Sequence, residues 1–386
     1  MKRRVKKALT VVLILVILTN IYIVVTGQFY VYTALWNNYA NIDDWKIFNN
    51  RKVATANPEN LPKHKDYNTE TLKSNYIKWL EDYKTVAFLA VRNDSVLHEQ
   101  YWNNYGPDSA SNSFSMAKSV VSILVGIAID EGKIKSIDEP VSNYISRFKE
   151  GARAKLTIKH LLQMSAGFDW VESYVNPFGL TTEAYYGDDL EMLSNKLDVV
   201  NEPGKVFNYQ SCNQIFLQQI LKKATGKNLS EYLSEKLWKP LHANRDASWS
   251  TDKANGNEKA FCCINSNARD FARIGMLFLH QGKWKGQQVV SKEWVAQSIN
   301  PAAIIDEHGK PCDFYGYSWW LTKIPYKGTE HQVYYMRGVL GQFTIVIPDY
   351  ELVIVRLGEI RSSKSIGEHR PDIYQYMNSI LEAYCQ

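Results

Sequence analysis

The sequence is poor in cysteine and lacks the short motifs by which proteins usually bind metal ions or nucleotides. Its five cysteines, of which Cys262 and Cys263 are adjacent, match no metal-ligand spacing. There is no His-Glu-x-x-His pair, no Gly-x-Ser-x-Gly elbow and no glycine-rich phosphate loop. We therefore expect no cofactor and no metal. Because the cysteine count is odd, we expect at least one free thiol in a single chain, and we expect most of the five to be small buried apolar side chains.

The sequence also lacks an excess of one charge outside its first residues. It has 45 basic and 40 acidic residues, and five of the basic ones stand at the N-terminus, namely Lys2, Arg3, Arg4, Lys6 and Lys7. The remainder is balanced, so it offers no basic surface for DNA or RNA. Hydrophobic residues make up 45% and charged residues 22%, which is typical of a globular protein with a core.

An apolar run over residues 8–26 follows the basic N-terminus. About 20 apolar residues span a bilayer, and no Ala-x-Ala-like cleavage site follows this run. Phe29, Tyr30 and Tyr32 resemble the aromatic belt of a membrane interface. The run predicts an uncleaved signal anchor, with a buried core helix as the alternative. The positive-inside rule then predicts a single-pass protein of the cytoplasmic membrane, with its N-terminus inside and its folded domain extracytoplasmic, on the periplasmic side.

Hydrophobic periodicity predicts strands near both ends of the folded domain and helices between them. The strands are predicted at 85–91, 96–101, 344–347 and 352–355. A wholly apolar helix is predicted at 116–129, and further helices at 158–165, 268–279 and 373–384. This layout predicts an α+β fold, an α/β sandwich in which an antiparallel sheet from both chain ends is flanked by helices and carries a mainly helical insertion.

The same patterns divide the chain into three parts. Residues 1–27 are predicted to be the membrane anchor, and residues 28–72, with Pro58 and Pro62, a juxtamembrane segment and linker. Residues 73–386 are predicted to form one domain, with a helical subdomain at about 156–254.

The motif Ser-x-x-Lys places a hydroxyl and an amine one helical turn apart, where a neutral lysine can accept the serine proton. Chance alone gives roughly two copies in such a chain, and three occur, at Ser115/Lys118, Ser146/Lys149 and Ser250/Lys253. The last two lie in polar stretches that predict solvated loops. Ser115 alone opens an apolar helix, which buries the amine and favours its neutral form. An N-cap serine beside a snorkelling lysine is the alternative.

The segment 113–119 (SFSMAKS) resembles the nucleophile motif of the class C β-lactamase and DD-peptidase superfamily, in the style of its esterase and 6-aminohexanoate-dimer hydrolase branch. Four more segments resemble later landmarks of this family in the same order, at 156–167, 202–213, 268–275 and 338–343. The resemblance covers about residues 80–386. Five ordered matches are far more specific than one motif.

The resemblance implies roles for several residues. Ser115 is the implied nucleophile, Lys118 activates it, and Tyr209 works with Lys118 to move the proton toward the leaving group. The backbone N–H groups of Ser115 and Val339 form the implied oxyanion hole. Asn213 or Ser211 is expected to orient the substrate.

Further implied contacts carry more alternatives. Tyr174 resembles a second active-site tyrosine, with an ordinary loop tyrosine as the alternative. Gly338 is expected to let backbone approach the substrate or to occupy a bulge. Met336, Arg337 and Gly338 replace the superfamily's Lys-Thr-Gly motif, whose lysine holds a substrate carboxylate. Arg337 can take over that role only if its side chain points inward.

We therefore expect an extracytoplasmic serine hydrolase that forms an acyl-enzyme and cleaves a small ester, amide or peptide-like substrate. One alternative is a cell-wall DD-peptidase or weak β-lactamase, which the altered third motif disfavours. Another is a non-catalytic protein that binds peptidoglycan or peptides on the same fold. Retention of Ser115, Lys118 and Tyr209 together argues against that alternative, because a receptor needs none of them.

Overall fold

The structure is a computed structural model and describes residues 2–385. Numbered along the chain, its strands are β1 (Asn49–Val53), β2 (Thr85–Arg92), β3 (Ser95–Tyr101), β4 (Ser111–Asn112), β5 (Ala247–Thr251), β6 (Ile264–Ser266), β7 (Lys283–Trp284), β8 (Gln287–Gln288), β9 (Trp320–Tyr326), β10 (Thr329–Gly338), β11 (Gln342–Ile347) and β12 (Leu352–Gly358). Its α-helices are α1 (Lys2–Thr26), α2 (Tyr30–Asn37), α3 (Ser74–Asp82), α4 (Met116–Asp130), α5 (Ile158–Leu162), α6 (Leu180–Tyr186), α7 (Leu190–Asn195), α8 (Cys212–Thr225), α9 (Leu229–Leu233), α10 (Ala268–Leu279), α11 (Lys292–Ser298) and α12 (Pro371–Tyr384).

A six-stranded antiparallel sheet forms the middle layer, in the order β3-β2-β12-β11-β10-β9. Strands β2 and β3 precede the helical region and β9 to β12 follow it, so both ends of the domain build the sheet. This confirms the predicted α+β sandwich. The predicted strands are confirmed as well, each extended by one to three residues.

Side-chain alternation along the sheet separates two hydrophobic cores. On β2, Leu89 and Val91 face the core that contains α4 and α10, whereas Phe88 and Ala90 face the core that contains α12. Because successive side chains point to opposite faces, a strand buried on both faces reads as a continuous apolar run. The result is a layer of helices on each face of the sheet.

Helix α4 is buried along almost its whole length, as its apolar sequence predicts. Its chain turns away at Gly132, whose φ of 68° is in the left-handed region that glycine accepts without a steric penalty. Helix α5 begins at the predicted N-cap, Thr157, which accepts a hydrogen bond from the backbone of His160. It ends at Leu162 and not at residue 165, because Met164 has a φ of 57° and so leaves the helical conformation.

A second, smaller sheet with the order β1-β5-β6-β4 lies beside the nucleophile motif. Strand β1 comes from the segment 28–72, which therefore contains a helix and a paired strand in addition to irregular chain. Ser250, expected in a solvated loop, lies in the middle strand β5, fully buried, and its hydroxyl donates to Asn50 Oδ1 at 2.8 Å. The expectation was wrong because polar composition cannot reveal pairing inside a small polar sheet.

Helix α1 is long and apolar enough to span a membrane over Arg3–Thr26 by length and composition. At its end, Ile23 is buried in a small cluster with Tyr30 and Val31 of α2, against Tyr186. Helix α2 packs on α6. The apolar helix is therefore joined closely to the domain.

The contact between α10 and the sheet generates a stability prediction. A β-carbon added at Gly275 would lie 2.6 Å from Val353 Cγ1 and 3.0 Å from Thr344 Cγ2. These β-branched side chains are stiff, so we expect Gly275→Ala to lower the free energy of unfolding by about 1–3 kcal/mol. In an open helix the same change would add about 1 kcal/mol.

Urea unfolding of the full chain in mild detergent measures this effect. Lys223→Ala, at an exposed position of α8, is the matched control and should change stability by less than about 0.5 kcal/mol. A Gly275→Ala protein as stable as the parent would show that the helix is not held against the sheet as described.

Candidate active site

The segment before α4 is fixed by hydrogen bonds to the small sheet. The backbone N–H of Ser113 donates to Ile264 O at 2.8 Å, and the Ile264 N–H donates to Ser113 Oγ at 3.0 Å. Phe114 has a φ of 43°, a left-handed conformation that is unfavourable for a bulky residue. Its N–H donates to Asn112 Oδ1 at 2.8 Å. These contacts hold a strained backbone immediately before Ser115, a pattern that is common at reactive residues.

Lys118 lies one helical turn after Ser115, and its side chain is buried with 1% exposure. Its Nζ donates to Ser115 Oγ at 3.0 Å and to the backbone oxygen of Phe261 at 2.9 Å. A buried amine without such acceptors would be costly. The predicted pair is therefore within direct hydrogen-bond reach, as a nucleophile and its base must be.

Tyr209 packs close to this amine. Its ring centroid is 5.0 Å from Lys118 Nζ, and it packs beside the rings of Trp320 and Tyr315 at 5.7 Å and 6.4 Å. The structure thus brings Tyr209 to the Ser115–Lys118 pair, although Tyr209 stands more than 90 positions after Lys118 in the sequence.

The end of β10 passes close to the nucleophile segment. A β-carbon at Gly338 would overlap the backbone oxygen of Ser113, so only glycine permits this approach. Val339 follows, and it lines the same cavity as Ser115. The buried Arg356 fixes the next residues by donating from Nη1 to the backbone oxygens of Leu340 at 2.9 Å and Gly341 at 2.8 Å.

The cavity in front of Ser115 has a volume of about 480 Å³. This size is within the range of small-molecule sites. Its walls come from six parts of the chain, and the residues used below are Leu35, Tyr39, Tyr174, Val175, Tyr185, Ser211, Cys262 and Val339. Among the described residues that line it, none is charged. Helix α2 contributes one wall, which the sequence analysis did not foresee.

Glu172 connects three residues beside the cavity. Its carboxylate accepts hydrogen bonds from Trp170 Nε1 at 2.7 Å, from Tyr174 Oη at 2.8 Å, and from the N–H and Oγ of Ser211 at 2.8 Å and 2.7 Å. It orders Tyr174 and Ser211, both predicted substrate contacts. The sequence analysis missed Glu172 because no local pattern distinguishes it, although it stands two positions before Tyr174.

Two predicted substrate contacts lie outside the cavity wall. Asn213 is buried inside α8, where its amide donates to Met164 Sδ at 3.3 Å and to Gln210 O at 2.9 Å. Arg337 stacks on Trp320, with its guanidinium carbon 3.3 Å from the ring centroid, and donates to Glu368 O. Of Asn213 and Ser211, only Ser211 lines the cavity.

Cys262 and Cys263 form a disulfide between adjacent residues, at the turn that follows Phe261. Cys262 lines the cavity, and the carbonyl before it accepts the Lys118 hydrogen bond. The three remaining cysteines are buried free thiols, at Cys212, Cys312 and Cys385. The disulfide therefore lies next to the Ser115–Lys118 pair.

Two buried titratable groups hold the part of the cavity wall around Tyr185. Burial, together with the Asp44 carboxylate, raises the pKa of Tyr185 well above its usual value, so the phenol stays protonated and donates to Asp44 Oδ2 at 2.8 Å. Burial lowers the pKa of Lys259 to about 8. Its amine donates to Ala184 O, next to Tyr185, at 3.3 Å.

A sheet between two helical layers, with a buried Ser-x-x-Lys helix beneath it, defines the class of serine hydrolases to which β-lactamases and penicillin-binding proteins belong. A 6-aminohexanoate-dimer hydrolase-type protein from Bacillus anthracis has this fold, with a TM-score of 0.74 and 21% identity over 89% of this chain and 92% of that chain. A family VIII carboxylesterase matches with a TM-score of 0.62 and 16% identity, over 83% of this chain and 98% of that chain.

The model of the β-lactamase family matches residues 75–372, and the chain belongs to this family. The 6-aminohexanoate-dimer hydrolase of Paenarthrobacter ureafaciens is 31% identical over 300 residues, which are 72% of this chain and 73% of that protein. The family and the enzyme class, serine hydrolase, expected from the sequence are thereby confirmed.

The close approach at Gly338 generates a prediction about activity. We expect Gly338→Ala to lower kcat/KM for p-nitrophenyl acetate by at least about 100-fold, because displaced backbone donors lose most of their effect on an oxyanion. Gly106→Ala is the matched control, because a β-carbon there meets no atom within 4 Å. Equal activity of the two variants would contradict the packing of β10 against the nucleophile segment.

The carboxylate of Glu172 generates a second prediction. Glu172→Gln replaces one acceptor oxygen by an amide that faces donors, and we expect kcat/KM for the same ester to fall about tenfold. Steady-state kinetics of Glu172→Gln and of a control variant measure this fall in kcat/KM. Glu191→Gln, an exposed residue of α7, should retain the parental value. A parental rate in Glu172→Gln would mean that the order of Tyr174 and Ser211 does not affect the reaction.

Proposed function

We propose that this protein is an extracytoplasmic hydrolase that forms an acyl-enzyme on Ser115 and cleaves a small ester or amide. The observation that carries the proposal is the 3.0 Å contact between Lys118 Nζ and Ser115 Oγ at the end of a buried helix. The extracytoplasmic location is supported by α1, whose apolar part follows the basic residues at the start of the helix.

The proposed reaction begins with transfer of the Ser115 hydroxyl proton to the amine of Lys118. Ser115 Oγ then bonds to the substrate carbonyl carbon, and the oxyanion accepts hydrogen bonds from the N–H groups of Ser115 and Val339. When the carbon–oxygen or carbon–nitrogen bond to the leaving group breaks, the proton passes from Lys118 through Tyr209 to that group. A water molecule, deprotonated by the same pair, then bonds to the acyl carbon. The bond between that carbon and Ser115 Oγ breaks, the proton returns to Oγ, and the acid is released.

The uncharged cavity favours esters and amides over D-Ala-D-Ala peptides. A DD-peptidase substrate ends in a carboxylate, which requires a cation, and no charged residue lines the cavity in the described part of the chain. Met336 stands in place of the motif lysine, and the side chain of the neighbouring Arg337 is held on Trp320. The relatives named as a 6-aminohexanoate-dimer hydrolase and a carboxylesterase agree with this substrate class.

A fluorophosphonate tests the proposed nucleophile. After reaction of the full chain in mild detergent, we expect intact mass and peptide mapping to detect one adduct, on Ser115, because only an activated serine attacks this reagent. Lys118→Ala should slow adduct formation at least about 100-fold. Lys149→Ala, in an exposed motif of the same spacing, should form the adduct at the parental rate.

The opposite outcomes are equally informative. A folded protein without an adduct would overturn the proposed reaction and favour the non-catalytic binding protein. An adduct that survives Lys118→Ala at the parental rate would remove the lysine from the mechanism. Acylation by penicillin on Ser115 would instead favour the DD-peptidase or weak β-lactamase.

A further inference from the structure

The cavity in front of Ser115 lies next to the apolar N-terminal helix. Helix α2 and the residues directly after it form one of its walls, through Leu35 and Tyr39, and only residues 27–29 separate α2 from the end of α1. A wall of the site is thus built by the chain that leaves the proposed membrane span.

Contacts of a second lining segment connect the same two regions. The ring of Tyr22, in the last turns of α1, meets the ring of Phe178 with 5.8 Å between centroids. The hydroxyl of Tyr30 donates to Phe178 O at 3.4 Å. Phe178 stands three positions after Val175, which lines the cavity. The end of the apolar helix is therefore packed beside a segment that lines the cavity.

Exposed apolar side chains occur on the segments that line the cavity or adjoin that lining in the sequence. Trp36 is 89% exposed, Val175 is 87%, Val171 is 74%, Leu35 is 60% and Phe29 is 56% exposed. Single exposed apolar residues are ordinary, but several on the segments of one cavity indicate a surface that meets an apolar phase. Aromatic side chains at the end of a span are typical of the membrane interface.

We propose that the substrate is an amphiphile held in the outer leaflet of the membrane. Its hydrocarbon chain lies in the cavity in front of Ser115, against the α2 wall, and its ester or amide lies at Ser115. This inference rests on the proposed acylation of Ser115 and adds the substrate class. The wall suits a hydrocarbon chain, because none of its described residues carries a charge that the chain would remove from water. The position of α1 suits a substrate that reaches the mouth by lateral diffusion within the same leaflet.

A series of p-nitrophenyl esters, from acetate to decanoate, tests the chain site in the full protein in mild detergent below the concentration at which the esters aggregate. We expect kcat/KM to rise with each added CH₂ by up to about fourfold, the factor that corresponds to about 0.8 kcal/mol per buried CH₂. Ser115→Ala provides the background rate.

Two variants place the effect in the cavity. Leu35→Asp and Val175→Asp each put a carboxylate into the wall, and we expect the octanoate-to-acetate ratio of kcat/KM to fall at least about tenfold in both. Both positions are exposed, so the change does not disturb a packed core. Val200→Asp is the matched control, because Val200 is 59% exposed and lies outside the cavity lining. Its ratio should equal that of the parent.

A vesicle experiment distinguishes a membrane-held amphiphile from a soluble one. The protein is reconstituted in phosphatidylcholine vesicles that also contain a fluorogenic ester on a long double-chain lipid, or is mixed with separate vesicles that contain it. We expect Ser115-dependent hydrolysis at least about tenfold faster in shared vesicles. Equal rates would overturn the placement in the leaflet.

The outcomes separate this inference from the proposed function. Failure to hydrolyse every ester, acetate included, in a Ser115-dependent way would overturn the proposed function and this inference with it. Ser115-dependent hydrolysis with no dependence on chain length, or with Leu35→Asp and Val175→Asp matching Val200→Asp, would overturn only the inference.

Discussion

A lysine amine inside an apolar core must find hydrogen-bond partners, because burying a polar group without a partner costs free energy. Lys118 finds two, Ser115 Oγ in its own helix and the backbone oxygen of Phe261. The second acceptor comes from the turn before β6, which is also hydrogen-bonded to the nucleophile segment through Ser113 and Ile264. The Ser115–Lys118 pair therefore has this geometry only when α4 is packed against the small sheet, so the geometry of the site depends on the packing of the domain.

The sequence predicts the fold well where burial follows a simple period. The strand β2 is apolar without interruption because Phe88 and Leu89 enter different cores, and α4 is apolar all round because it lies under the sheet. Such patterns are local, so they can be recognised in the sequence without knowing which residues are neighbours in the fold. The end of α5 at Leu162 was less predictable, because Met164 is left-handed and its backbone oxygen accepts a hydrogen bond from Asn208, which is distant in the sequence.

The candidate site is predictable only in part, for the same reason. The Ser115 pair could be separated from Ser146/Lys149 by the apolar helix that follows it, which is a local signal. Glu172 has no such signal, since its importance comes from donors on α8 and its own loop that meet only after folding. The choice between Ser211 and Asn213 depends on which side of the α8 N-terminus faces the cavity, and a motif match does not contain that register.

The short connection between α1 and α2 fixes the orientation of the cavity relative to the apolar helix. If residues 28–72 were a flexible linker, the cavity would point in all directions relative to the membrane, and a leaflet substrate would meet it rarely. Because Ile23 packs with Tyr30 and α2 packs on α6, the mouth instead keeps one orientation to the apolar helix. In the proposed arrangement the hydrocarbon chain is bound by a wall remote from the reacting carbonyl, and such remote contacts supply energy that can orient the ester toward Ser115.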